Sequence, residues 1–152
     1  MNLYLVQHAD AKSDEEDPRR PLSDKGRMDI FKTASFAKSG LKVDEIFHSG
    51  KLRASQTAEV LAELINPLKG TKAEDGLNPN DDPKIWAKRL KGLGNDFMIV
   101  GHLPHLQKLA SILLCGDPDK EIIKFQRACI LCLGYKDNVW TVRWMIMPEV
   151  LK

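Results

Sequence analysis

The chain lacks most of the features that would commit it to an extracellular, membrane-bound or nucleic-acid-bound setting. Its three cysteines, Cys115, Cys129 and Cys132, are an odd number in apolar surroundings, which predicts reduced, buried thiols rather than a disulfide framework. No apolar run approaches the roughly 18 residues that a membrane span needs, and the first residues lack a basic region followed by an apolar signal core. The expected location is therefore the cytoplasm, with no membrane partner. Charge of one sign is missing too: 23 Lys and Arg against 21 Asp and Glu, mixed along the chain, leave a net charge of +2. Such a balance calls for no nucleic acid. Internal repeats and low-complexity segments are absent. What is there, 152 residues with 43% hydrophobic and 29% charged, predicts one globular domain over residues 1–152, a monomer that buries roughly two thirds of its unfolded surface.

Read in order, Asn2 to Val6 is a short buried strand that ends abruptly in Gln7 and His8. Lys12 to Arg20 is a charged surface loop. Ser23 caps a helix whose apolar stripe is Met28, Phe31, Ala34, Ala37 and Leu41, ended by Gly40. Val43 to Phe47 is a second strand, with His48, Ser49 and Gly50 turning into a helix that carries Ala54, Ala58, Leu61, Leu64 and Ile65 at helical spacing up to Asn66-Pro67. A brief strand is expected within Lys72 to Leu77. Asp82 and Pro83 then start a helix to about Leu90. Lys91 to Asn95 is a turn, Asp96 to Val100 a third buried strand, and Gly101-His102-Leu103-Pro104 leads into a helix with Leu106, Leu109, Ala110 and Leu113 on one face. Ala128 to Leu133 and Val139 to Met147 close the chain as strands around a turn at Lys136-Asp137-Asn138.

Strands alternating with amphipathic helices predict an α/β three-layer sandwich, a mostly parallel central sheet flanked by helices. In such sheets the ligand sits beyond the carboxyl ends of the strands. Three of those ends carry polar groups: Gln7 and His8, Ser49 and Arg53, and His102. Arg53 falls in the first turn of its helix, where free N–H groups and the helix dipole already favour an anion, and a guanidinium adds a bidentate fork. Taken singly, each is more often a turn or surface residue. Together they form a pocket for a phosphoryl group with one imidazole placed to attack. His48 and His105 read as structural or peripheral.

These residues carry a resemblance. LYLVQHADA from Leu3 resembles the strand and RHG-type motif of the histidine phosphatase superfamily, the phosphoglycerate-mutase-like enzymes, and is most similar to its small SixA-type phosphohistidine phosphatases. Arg20-Pro21-Leu22-Ser23 with Gly26 resembles that branch's RPL segment, Ser49 to Thr57 (SGKLRASQT) its second motif, and Val100 to Pro104 (VGHLP) its second histidine motif. The resemblance implies a metal-independent phosphatase that needs no cofactor and acts on a phosphohistidine-bearing protein or a small phosphorylated substrate. His8 would be the nucleophile, with Arg53 and His102 binding the phosphoryl oxygens. Gln7, Ser49, Arg20 and Lys12 would line the substrate site.

One departure stands out. The family motif has arginine where this chain has Gln7, and an amide brings neither the charge nor the fork of a guanidinium. Losing a preorganised donor to a transition-state oxyanion costs roughly 2.7–4 kcal/mol in a well-studied case, so turnover is expected to be weakened unless Lys12 or Arg20 fills the gap. Alternatives are a phosphate- or phosphoprotein-binding module without turnover and a phosphatase of small phosphomonoesters. A metal-dependent hydrolase is disfavoured, because no carboxylate cluster accompanies the histidines. Cys129 and Cys132 fall on opposite sides of an apparent strand.

Overall fold

The computed structural model describes residues 1–152. Six strands alternate with four helices: β1 (Asn2–Gln7), α1 (Asp24–Ala37), β2 (Glu45–His48), α2 (Leu52–Ile65), β3 (Thr71–Ala73), α3 (Pro83–Leu90), β4 (Phe97–Gly101), α4 (His105–Cys115), β5 (Ile130–Lys136) and β6 (Val139–Ile146). One sheet contains all six strands in the order β3-β2-β4-β1-β5-β6. β1 is parallel to β4, β4 to β2 and β2 to β3, whereas β5 runs against both β1 and β6. The sheet is therefore mostly parallel, as the alternation of elements predicts. No helix is long and apolar enough to cross a membrane.

Helices cover both faces, which gives the three-layer architecture. On one face Tyr4, Val6, Ile46, Met98 and Val100 pack against Ile30, Ala34, Ala58 and Leu61 of α1 and α2. On the other, Leu3, Leu5, Phe47, Phe97 and Ile99 pack against Trp86, Leu90, Leu106 and Leu109 of α3 and α4. Successive residues of one strand thus enter different cores, which is why LYLV and FMIV read as unbroken apolar runs. Cys129 and Cys132 obey the same alternation and belong to opposite cores.

Local signals set several boundaries as expected. Ser23 Oγ accepts the Gly26 N–H at 3.0 Å, and Asp82 Oδ1 accepts the Lys84 N–H at 2.9 Å with Pro83 as the first residue of α3. Asn66 ends α2 in the left-handed region. Asp137 and Asn138, at φ 53° and 62°, form the two-residue turn between β5 and β6, with the twist a tight hairpin favours.

Four expectations need correction. The stripe on α1 holds at Ala34, Ala37 and Leu41, all buried, but not in the first turns, where Met28 is 64% and Phe31 56% exposed and Gly26, Ile30 and Thr33 face the core instead. The phase is set by Gly26, whose Cα lies so close to the loop after β1 that an added Cβ would stand 2.0 Å from the Asp10 carbonyl oxygen. Cys115 is exposed, not buried, because it is the last residue of α4 and points away from the core its helix covers. The expected strand within Lys72 to Leu77 is only Thr71–Ala73, a fully exposed edge strand paired with β2 alone. Lastly, β2 begins at Glu45 and includes His48, so that residue ends a strand rather than opening a turn.

The Gly26 contact yields a stability prediction. Gly26→Ala should lower stability by at least ~1–3 kcal/mol, the usual range for overpacking, as a reduced urea midpoint. Met28→Lys, on the exposed face of the same helix, should stay within about 0.5 kcal/mol of the unsubstituted protein.

Candidate active site

Adjacent parallel strands bring the two site histidines together. Gln7 of β1 pairs with Gly101 of β4, and the His8 N–H donates to the Gly101 carbonyl at 3.0 Å. Each chain leaves its strand at the same level, so His8 and His102 face one another with ring centroids 5.0 Å apart and planes inclined by 51°. Both are buried. At the next strand end, Ser49 Oγ and His102 Nε2 share a hydrogen bond of 2.6 Å.

The tautomer of His8 follows from its partner. Its Nδ1 lies 2.7 Å from the Ala9 carbonyl oxygen, which can only accept, so Nδ1 carries the hydrogen and the lone pair is left on Nε2. Burial lowers the His8 pKa to about 4, against a rise from the Ala9 hydrogen bond, with Arg53, Arg127 and Arg20 lowering it further. Burial, His8, Arg53, Lys51 and His105 lower His102 to about 3. Both imidazoles are neutral near pH 7, one of them held with a free lone pair among cations.

Arg53 is placed through a hydroxyl. The Ala9 N–H donates to Thr57 Oγ1 at 3.0 Å, and that hydroxyl donates to the Arg53 carbonyl one turn back in α2 at 2.7 Å. The loop carrying His8 and the helix carrying Arg53 are thereby locked together. Gln56 ties in the next segment, its Oε1 accepting the Leu22 N–H at 2.8 Å. Gly50, at φ +88°, allows the sharp turn into α2, a conformation that residues with a side chain rarely adopt.

Buried polar atoms without a hydrogen-bond partner concentrate here: Gln7 Oε1, Arg53 Nε and His102 Nδ1, with both ring nitrogens of the neighbouring His105. Such atoms are rare in folded proteins and call for an explanation. Of these, Arg53 Nε is a donor that an anion would satisfy, whereas Gln7 Oε1 can only accept.

The structure brings together His8, His102, Ser49, Arg53 and Gln7. Arg20 is partly buried and acts electrostatically on both His8 and Arg53, although its Nε is used by the Lys12 carbonyl at 3.0 Å. Lys12 lies exposed in the loop over residues 12–20, and the cations acting most on His8 are Arg53, Arg127 and Arg20. Sequence reasoning missed Arg127. It precedes β5, and Asp10 Oδ1 holds its Nη1 at 2.6 Å; Asp10 Oδ2 in turn accepts from Ser23 Oγ at 2.6 Å. The one signal for it was an arginine immediately before the apolar run ACILCL. A separate hollow of about 450 Å³ beside Leu41, Val43, Ile65 and Asp96 lies at the opposite, amino-terminal end of the strands.

Superposition on solved structures identifies the architecture as the phosphoglycerate-mutase-like fold of the histidine phosphatases. The structure of the protein histidine phosphatase SixA complexed with tungstate matches with a TM-score of 0.85 at 22% identity, covering 99% of both chains. The alpha-ribazole phosphatase of Shigella flexneri matches with a TM-score of 0.79 at 12% identity over 97% of each chain. Phosphohistidine phosphatase SixA of Escherichia coli strain K12 is 26% identical over 123 residues, 77% of this chain and 76% of that protein. Within the class, the likeness is to the SixA-type branch. No protein-family model matches the chain.

The depressed histidines set the pH response. A histidine whose folded pKa lies below its unfolded value of 6.5 leaves the unfolded chain binding more protons, so stability falls as pH drops from about 6.5 towards the folded values. His48 and His105 are lowered by burial as well. The urea midpoint should therefore fall steadily from about pH 7 to pH 4, and nitrogen NMR should find the His8 ring neutral with Nδ1 protonated at about pH 5.5, where an ordinary histidine is mostly charged.

Proposed function

We propose that the protein removes a phosphoryl group from phosphohistidine on a partner protein through a covalent intermediate on His8. The observation that carries this reading is the fixed tautomer: the Ala9 carbonyl holds the Nδ1 hydrogen, leaving Nε2 as a neutral nucleophile in a ring that faces His102. The lone pair of His8 Nε2 forms a bond to phosphorus as the bond from phosphorus to the substrate's imidazole nitrogen breaks. A substrate imidazole already protonated on its other nitrogen leaves as neutral imidazole and needs no general acid. Water then attacks phosphorus, the Nε2–phosphorus bond breaks, and dihydrogen phosphate departs with both hydrogens of that water. Because Nδ1 keeps its hydrogen throughout, the phosphorylated ring is an imidazolium, a good leaving group for this second step.

Phosphoryl transfer of this kind asks mainly for positioning and charge neutralisation. Arg53 and His102 would hold the phosphoryl oxygens, Ser49 orients His102, and Gln7 and Arg20 complete the lining; Lys12 would approach from the loop only on substrate binding. The tungstate complex of SixA supports the reading, since tungstate is a tetrahedral oxyanion. A second reading, hydrolysis of small phosphomonoesters, draws support from the likeness to the alpha-ribazole phosphatase. The open site beside an exposed loop favours a protein surface as substrate.

Incubation with a phosphohistidine-bearing protein should release phosphate and leave a phosphoryl group on His8 detectable by mass spectrometry, and His8→Ala should abolish both. Absence of release and of phosphoenzyme in the unsubstituted protein, or phosphoenzyme only with small esters, would overturn the proposal. Arg53→Ala should reduce kcat/KM by about 10²–10³, the range for removing one oxyanion donor.

A further inference from the structure

We infer that Arg127 supplies to the phosphoryl oxygens the guanidinium that residue 7 lacks. This rests on the phosphatase reading above. Gln7 and Arg127 line one cavity of about 470 Å³ beside α1, and the same Gln7 immediately precedes His8, which lies outside that lining. Gln7 and Arg127 are held side by side by the backbone, since the Ala128 N–H donates to the Gln7 carbonyl at 3.0 Å. Ala128 sits at φ +64°, in the turn that leads the chain into β5 beside β1.

Its guanidinium is held but not used up. Asp10 Oδ1 takes Nη1, and no other protein group accepts from Arg127. The side chain is half exposed, leaving the remaining N–H groups of its planar fork available to an anion. Asp10 is itself fixed by Ser23 Oγ, and Ser23 caps α1, so the clamp rests on a helix. Two lysines of α1 also line that cavity: Lys25, taken by Asp29 at 2.6 Å, and Lys32. Arg20, outside it, has its Nε bonded to the Lys12 carbonyl. Arg127 is also second to Arg53 among the cations that lower the His8 pKa. Gln7 in turn has a buried amide oxygen with no donor and brings no charge to that cavity.

Binding of inorganic tungstate by calorimetry and turnover of a phosphohistidine protein together test this. Arg127→Gln, which keeps a donor for Asp10 but removes the charge, should weaken tungstate at least tenfold and lower kcat/KM by about 10², the lower end of the loss for one oxyanion donor. Arg127→Lys should retain part of both. Adding Gln7→Arg to Arg127→Gln should restore tungstate binding to within about threefold. Tungstate binding within about threefold of the unsubstituted protein in Arg127→Gln, or no rescue by Gln7→Arg in variants whose thermal unfolding is unchanged, would overturn the inference. Failure of phosphohistidine turnover in the unsubstituted protein would instead count against the proposed function, while the tungstate comparison would still read the role of Arg127.

Discussion

The site depends on the parallel pairing of β1 with β4. With Gln7 opposite Gly101, the residues that follow each strand emerge at one level, and a slip of one residue would turn one imidazole to the opposite face. The pairing is well protected: β1 and β4 are interior strands of a six-stranded sheet and are buried on both faces. Around this pair the chain reverses its direction of growth across the sheet, since β2 and β3 lie beyond β4 while β5 and β6 lie beyond β1. Such a switch point opens a crevice at the strand ends, and the crevice here contains His8 and His102.

Electrostatics at that crevice are one-sided. Arg53, Arg127 and Arg20 act electrostatically on an imidazole that burial already keeps neutral, and Asp10 is the carboxylate bonded directly to one of these arginines. An arrangement of cations around an uncharged nucleophile is suited to a dianionic substrate, because the substrate is attracted and the nucleophile is not neutralised by protonation. The same cations disfavour the imidazolium, so attraction and nucleophilicity come from one set of charges. Thr57 keeps them in register by bridging the loop after β1 and the first turn of α2.

Much of the fold was legible in the order of apolar runs and breakers, because strands buried on both faces and helices capped by Ser23 and Asp82 announce themselves locally. The inward face of the first turns of α1 was not, since it depends on a contact between Gly26 and the Asp10 carbonyl that only the folded chain creates. Nor was the brevity of β3, whose exposed residues have no pattern to read and whose strand exists by pairing with β2. At the site, His8, Arg53 and His102 could be picked out because each follows a recognisable strand. Arg127 could not: its partner Asp10 is 117 positions away in the chain, and the antiparallel return of β5 alongside β1 is what joins them.

Cysteine distribution has a practical consequence. Cys129 and Cys132 are buried in separate cores, whereas Cys115 is exposed at the last position of α4. That helix starts beside the crevice and runs 11 residues, about 16 Å at 1.5 Å per residue. A maleimide dye would therefore attach at one place, remote from the oxyanion groups yet on the helix that follows His102. The native chain already contains an attachment point for a fluorescent reporter, with no cysteine to be added or removed.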